Sequence, residues 1–344
     1  MDRQDAARRL IEADLYDMLD AFDSCSDCIR SYFMLGGLLY FAMIISGSID
    51  WCNKAGIDVT CFADKETIDK LRAKVKLYSS DNVIPLTKQK QIMSQIIKIE
   101  KQYWLDLYAQ SGTGCPDFLI RDLGYCLVDN HYIGNTLEYA YEYSPLNPKR
   151  LPFAVAFSGK RKEESLGYTF SVQIGQTMQN LYAKIAGSSF VLKKHKDRSV
   201  IITDRDFRFD NHAFFKKDNA IFAFNLSCRL NYLLELFLKM CKADSLLAFR
   251  MAYVTFYHLK YDLENFGLDS VHYDMPYRNK IFRNVMAHYS LFGKISNSEI
   301  IEDVVGFGLF EKYFGESFGV VNQSIMEELK KTRDSLEKYV RLSG

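Results

Sequence analysis

Apolar positions recur at helical spacing over most of the chain. Leu10, Ile11, Leu15, Met18, Leu19 and Phe22 repeat at intervals of three and four and predict a helix over Ala6–Phe22. Asp64 stands at the N-cap of a predicted helix running to Tyr78. Thr87 does the same for a long helix through Ile92, Ile96, Ile97, Ile99, Tyr103 and Leu107, ended by Gly112, Gly114 and Pro116. The pattern then changes. Pro145, Pro148 and Pro152 mark a linker, and Phe153–Phe157 and Tyr168–Ile174 read as strands around a solvated loop, Gly159–Glu164. Ser189–Leu192 and Ser199–Thr203 flank a second basic loop, Lys193–Arg198.

Beyond residue 216 helical spacing returns. Asp218 caps a helix with Phe222, Leu226, Leu230, Leu233, Phe237 and Met240 on one stripe. Asp244 caps the next, through Phe249, Tyr253, Phe256 and Leu263, with Gly267 as its stop. Pro276 suits the first turn of a third helix followed by Gly293, and helices near 297–314 and 321–341 close the chain. The reading is a mainly α protein in three stretches: a helical region over 1–145, a small α/β, sheet-bearing module or insert over 146–215, and an antiparallel helical bundle over 216–344.

Composition narrows the classes. The 344 residues are 48% hydrophobic and 25% charged, which excludes a disordered chain, and 14% aromatic, which requires a large core with buried tyrosine hydroxyls. A formal net charge of +1 argues against holding nucleic acid by bulk charge, so any such binding needs a local site. The start of the chain carries no secretory pattern and the eight cysteines form no regular framework. Both point to free thiols in a reducing cytoplasm. Cys25 and Cys28 have zinc-like spacing, but Cys52 and Cys61 are too far apart to complete a knuckle. Buried thiols are the expectation, with no metal and no cofactor. The uncharged stretch Ser31–Ile49 has the length of a membrane span but contains Gly36, Gly37, Gly47, Ser46 and Ser48 and lacks a basic flank. It reads as a buried core helix, without stable membrane association. Asp204–Asp210 alternates charge as an exposed turn or strand edge does, and no phosphate-binding glycine loop or nucleophile elbow is present.

Candidate chemistry concentrates in Tyr277–Tyr289, which contains Arg283, Asn284 and, after three residues, His288. This Arg-polar-x-x-x-His pattern, within helices, resembles the signature of the HEPN superfamily, many of whose members are ribonucleases. The resemblance covers 216–344. It implies a metal-independent endoribonuclease that cleaves RNA by 2′-hydroxyl attack to a 2′,3′-cyclic phosphate. It also implies a homodimer, and a toxin or antiviral defence effector with a regulatory or antitoxin partner. The residue chemistry is coherent by itself. Histidine exchanges protons near neutrality, and arginine holds phosphate oxygens with a permanent planar charge. His288 is the candidate acid/base, Arg283 the phosphate stabiliser and Asn284 an orienter of His288 or a phosphate contact. Arg278, Lys280 and Tyr289 are candidate RNA contacts.

On a straight helix Arg283 and His288 point roughly 140° apart, whereas Asn284 and His288 share a face, so two copies across a two-fold axis build a better cleft than one. Ile281, Phe282, Val285, Met286 and Tyr289 form the apolar arc of that helix. The basic loops at 160–162 and 193–198, near Phe153, Phe157, Tyr168 and Phe190, either guide RNA or are ordinary solvated loops. The competing reading keeps the fold without the cutting: His288 hydrogen-bonds inside the bundle, and the module binds RNA or protein.

Overall fold

The computed structural model describes residues 3–25, 27–73, 124–134, 166–192, 200, 202–206, 219–242, 245–289 and 308–342. In chain order these form α1 (Arg3–Ser24), α2 (Asp27–Gly36), α3 (Leu38–Ala55), α4 (Lys65–Ala73), β1 (Gly124–Val128), β2 (His131–Gly134), α5 (Leu166–Ala186) and β3 (Ile202–Asp206). Then follow α6 (Ala220–Asn231), a π-helical turn (Tyr232–Phe237), α7 (Leu238–Met240), α8 (Leu246–Asn265), α9 (Lys280–Ala287), α10 (Gly308–Phe314) and α11 (Phe318–Leu342). The predicted helix after Thr87, the strand Phe153–Phe157, both basic loops, the caps Asp218 and Asp244, the stretch 207–210 and Gly293 lie outside the described residues.

Two helices whose middle turns are buried on every side occupy the centre. Every residue of α3 from Leu38 to Ile49 is buried, and so is every residue of α8 from Leu247 to Leu259. They are joined by a buried hydrogen bond, Tyr40 Oη to Thr255 Oγ1 at 3.1 Å. The uncharged stretch is therefore core, and among the described residues no helix is long and apolar enough to cross a membrane. Its glycines admit neighbouring rings. A Cβ at Gly36 would overlap the Tyr232 ring, and one at Gly47 would stand 2.9 Å from Tyr289. Tyr232 reaches this gap from the π-helical turn and donates to Phe33 O at 2.7 Å. One connected core draws on α1 to α4, the hairpin, α5 and the C-terminal helices, so the described parts of all three stretches pack together. Each fully buried Leu, Ile or Phe there contributes about 1.5–3 kcal/mol.

Local signals account for several elements. Asp64 caps α4 as expected, its Oδ2 accepting from Thr67 N at 2.9 Å. Gly267, at φ +62°, follows the end of α8 in the left-handed conformation that glycine adopts freely. Ser245 takes the N-cap position of α8.

Three expectations are corrected. Tyr168–Ile174 is not a strand but the first part of α5. Its alternation continues into Met178, Leu181 and Ile185, which bury one helical face with Ile174, while Val172 stays 38% exposed. Packing of Tyr182 on Tyr16 of α1, 6.1 Å between ring centres, outweighs the strand preference of the β-branched and aromatic residues. The small sheet is real, and β3 falls within 146–215 as expected, but the sheet is not confined to that module. It is antiparallel with order β2-β1-β3, and two of its strands fall within 1–145. Asp129 and Asn130 turn the β1–β2 hairpin at φ 50° and 65°, the geometry of a type I′ turn. Finally, Pro276 sits in a turn, and α9 begins only at Lys280.

Candidate functional site

The short helix α9 carries the motif, and its surroundings fix its position. Asn279 is its N-cap: the side-chain oxygen accepts from Ile281 N at 2.9 Å and Phe282 N at 3.0 Å. Tyr253 of α8 holds the preceding turn, donating to Tyr277 O at 2.7 Å and accepting from Asn279 N at 3.1 Å. Phe282 is the anchor, with ring centres of Tyr253, Phe314 and Phe310 at 4.8, 4.7 and 5.2 Å. Phe282, Val285, Met286 and Tyr289 are buried as the apolar arc predicts, but Ile281 is 61% exposed and does not belong to it.

The far end of α9 is clamped from below. Arg250, wholly buried on α8, donates Nε–H to Met286 O at 2.7 Å and pairs through Nη1 with the buried Asp14 of α1. Tyr289 donates to the same Asp14 oxygen at 2.6 Å, and the Arg250 guanidinium stacks 4.3 Å from its ring centre. Burial pushes the Tyr289 phenol well above its ordinary pKa, so it stays a neutral donor. The expectation that Tyr289 contacts RNA is therefore corrected. It is 1% exposed, and its hydroxyl is committed to Asp14.

The near end is different. Tyr253, Tyr257 and Tyr261 follow one another at four-residue spacing along α8. The Arg278 guanidinium lies 4.5 Å from the Tyr257 ring centre and 4.6 Å from that of Tyr261, and Arg283 lies 4.9 Å from Tyr257. A hydrogen bond from Arg278 lowers the Tyr261 phenol below its usual pKa. Nε and Nη2 of Arg278 and Nε of Arg283 are shielded from solvent, and no acceptor meets them among the described residues. Lys280 is exposed in the first helical turn, where a cation is electrostatically unfavourable. No Asp or Glu occurs between Met275 and Tyr289. Three cations thus surround one helix start with no acid beside them in the chain. Such an arrangement accepts anionic oxygens.

His288 does not continue the helix. At φ −141° and ψ 113° it is the extended C-cap, its backbone N–H bonded to Val285 O. The straight-helix geometry for Arg283 and His288 accordingly does not hold, and the four-residue relation to Asn284 does not either. Asn284 is half-buried and makes no side-chain hydrogen bond among the described residues, so it does not orient the imidazole. Arg72 of α4 does. Its Nη2 meets His288 Nδ1 in a short contact, while Nη1 reaches Ser46 Oγ at 2.7 Å and Asp50 Oδ2 at 3.2 Å. Ser46 Oγ in turn donates to Asp69 Oδ1 at 2.8 Å.

The structure thus brings Arg278, Lys280 and Arg283 together at one end of α9 and places His288 at the other, against α3 and α4. Sequence reasoning missed Tyr257, Tyr261 and Arg72. The tyrosine row was visible as spacing on α8; Arg72, 216 positions from His288, left no local trace. Cys25, Cys52 and Cys61 are free thiols, and among the described residues no three metal-binding side chains converge. No protein-family model matches the chain, and no curated protein or solved structure matches it.

Proposed function

We propose that this protein is a metal-independent endoribonuclease of HEPN type, with RNA as its substrate and a second copy of the chain completing the cleft. Arg283 and Arg278 hold the scissile and neighbouring phosphates. Lys280 adds charge at the rim, and Tyr257 and Tyr261 back the guanidiniums as an aromatic wall. His288 exchanges the proton of the attacking 2′-hydroxyl or of the leaving oxygen. The observation that carries the reading is the pair of guanidiniums at the start of α9. They are stacked on tyrosines, with shielded N–H groups that no acceptor meets among the described residues. Unfilled donors of this kind are costly to maintain in a purely structural cluster and useful to one that receives phosphate.

The test is cleavage of labelled RNA in EDTA. Wild type cuts, whereas His288→Ala and Arg283→Ala lose cutting and remain folded by circular dichroism. Equal activity in wild type and His288→Ala removes the assignment. A second reading, an RNA-binding module that does not cut, is favoured by one contact, that of Arg72 with Nδ1 of His288. RNA retention without cleavage by wild type selects it.

A further inference from the structure

We infer that Arg72 is a positioning residue that latches His288 in a resting form unable to take up a proton. The functional meaning of the latch rests on the ribonuclease reading above. The protonation form it assigns does not.

A guanidinium has donors and no acceptor. The Nη2 that meets His288 Nδ1 therefore requires a bare lone pair there, and a neutral imidazole with a bare Nδ1 carries its proton on Nε2. In that form Nε2 cannot accept the proton of a 2′-hydroxyl. Charging the ring would place a proton on Nδ1, directly against the N–H of Arg72. Neither the base nor the acid form is reachable while the contact lasts.

The latch is built from both sides. Asp50 of α3, at 3.2 Å, balances the charge of Arg72, and Ser46 at 2.7 Å fixes its other nitrogen. Asp69 of α4 accepts from Ser46 at 2.8 Å. On the other side, Arg250 holds Met286 O, and Tyr289 is bonded to Asp14, so the chain on either side of His288 is tethered. Arg72 meets the imidazole, Asp50 and Asp69 stand behind Arg72, and the Arg250–Asp14 pair holds the chain on the other side of His288. Shifting the Arg72 head toward Asp50 frees the ring without moving the backbone.

Nitrogen-resolved NMR of the imidazole in the full chain at neutral pH tests this directly. Wild type shows His288 with a bare Nδ1 and a protonated Nε2. Arg72→Met, which keeps the apolar stem and removes the donors, adds forms protonated on Nδ1. In the cleavage assay Arg72→Met cuts RNA several-fold faster than wild type, and the Arg72→Met, His288→Ala double variant does not cut. A wild-type His288 protonated on Nδ1 overturns the latch, as does a folded Arg72→Met that cuts no faster than active wild type. If no variant cuts RNA, the ribonuclease reading fails. The tautomer in wild type then decides the Arg72 assignment by itself.

Discussion

Two arginine–tyrosine clusters flank α9, and they are opposites. At its far end Arg250 is saturated: a backbone carbonyl, a buried carboxylate and a tyrosine face surround it. At its near end Arg278 and Arg283 use the same tyrosine stacking but have no carboxylate among the described residues, and three of their N–H groups go unmatched. The residue types are alike and only the pairing differs. A fully paired guanidinium fixes the fold, whereas an incompletely paired one near the surface keeps its binding capacity for a ligand.

Removing the counter-charge from the saturated cluster has the largest effect. Asp14→Ala leaves Arg250 buried and unpaired, and thermal or urea unfolding shows a loss of about 3–5 kcal/mol. The receptive cluster responds in the other observable. Arg283→Gln changes stability by less than about 1 kcal/mol but lowers RNA cleavage by about 100- to 1,000-fold, as expected for a lost charge-stabilising donor. Were Arg283→Gln to unfold the protein as Asp14→Ala does, the contrast would disappear.

Asp262 sharpens the comparison, because it is poorly paired yet closed to any ligand. Its nearest cation, Arg229, stands 3.9 Å away, and burial raises its carboxyl to about 7. The folded value lies above the ordinary one near 4, so the neutral acid favours folding. That contribution is complete below pH 4 and is lost as pH rises through 7. Asp262→Asn flattens this dependence, raising stability at pH 8 by up to a few kcal/mol and little at pH 4, in melts recorded across the range. The smallest effect belongs to the exposed Lys280. Lys280→Gln leaves stability within about 0.5 kcal/mol and reduces the salt dependence of RNA binding by about one phosphate contact.

The parts of the fold that were legible in the sequence are those set by local rules. The stripe of α1, the Asp64 cap and the stop at Gly267 each depend on residues a few positions apart. Tyr168–Ile174 misled because its alternation fits a strand over seven residues, and only the packing of α5 on α1 selects the helix. The hairpin went unread because Asp129–Asn130, although a turn pair, stands between short strands with little pattern of their own. At the site, the cations of Tyr277–Tyr289 were legible as composition. The break of α9 before His288 was not, and the burial of Tyr289 follows from its place in the apolar arc rather than from its position next to the motif. The contact from Arg72 depends on tertiary structure alone.

The chemistry of the ends left on cut RNA tests the central claim most directly. Attack by a 2′-hydroxyl at a phosphate held by Arg283, with His288 moving the proton, leaves a 2′,3′-cyclic phosphate and a 5′-hydroxyl, formed equally well in EDTA. Fragments bearing a 5′-phosphate and a 3′-hydroxyl, or intact RNA after incubation with the folded wild-type protein, would contradict it.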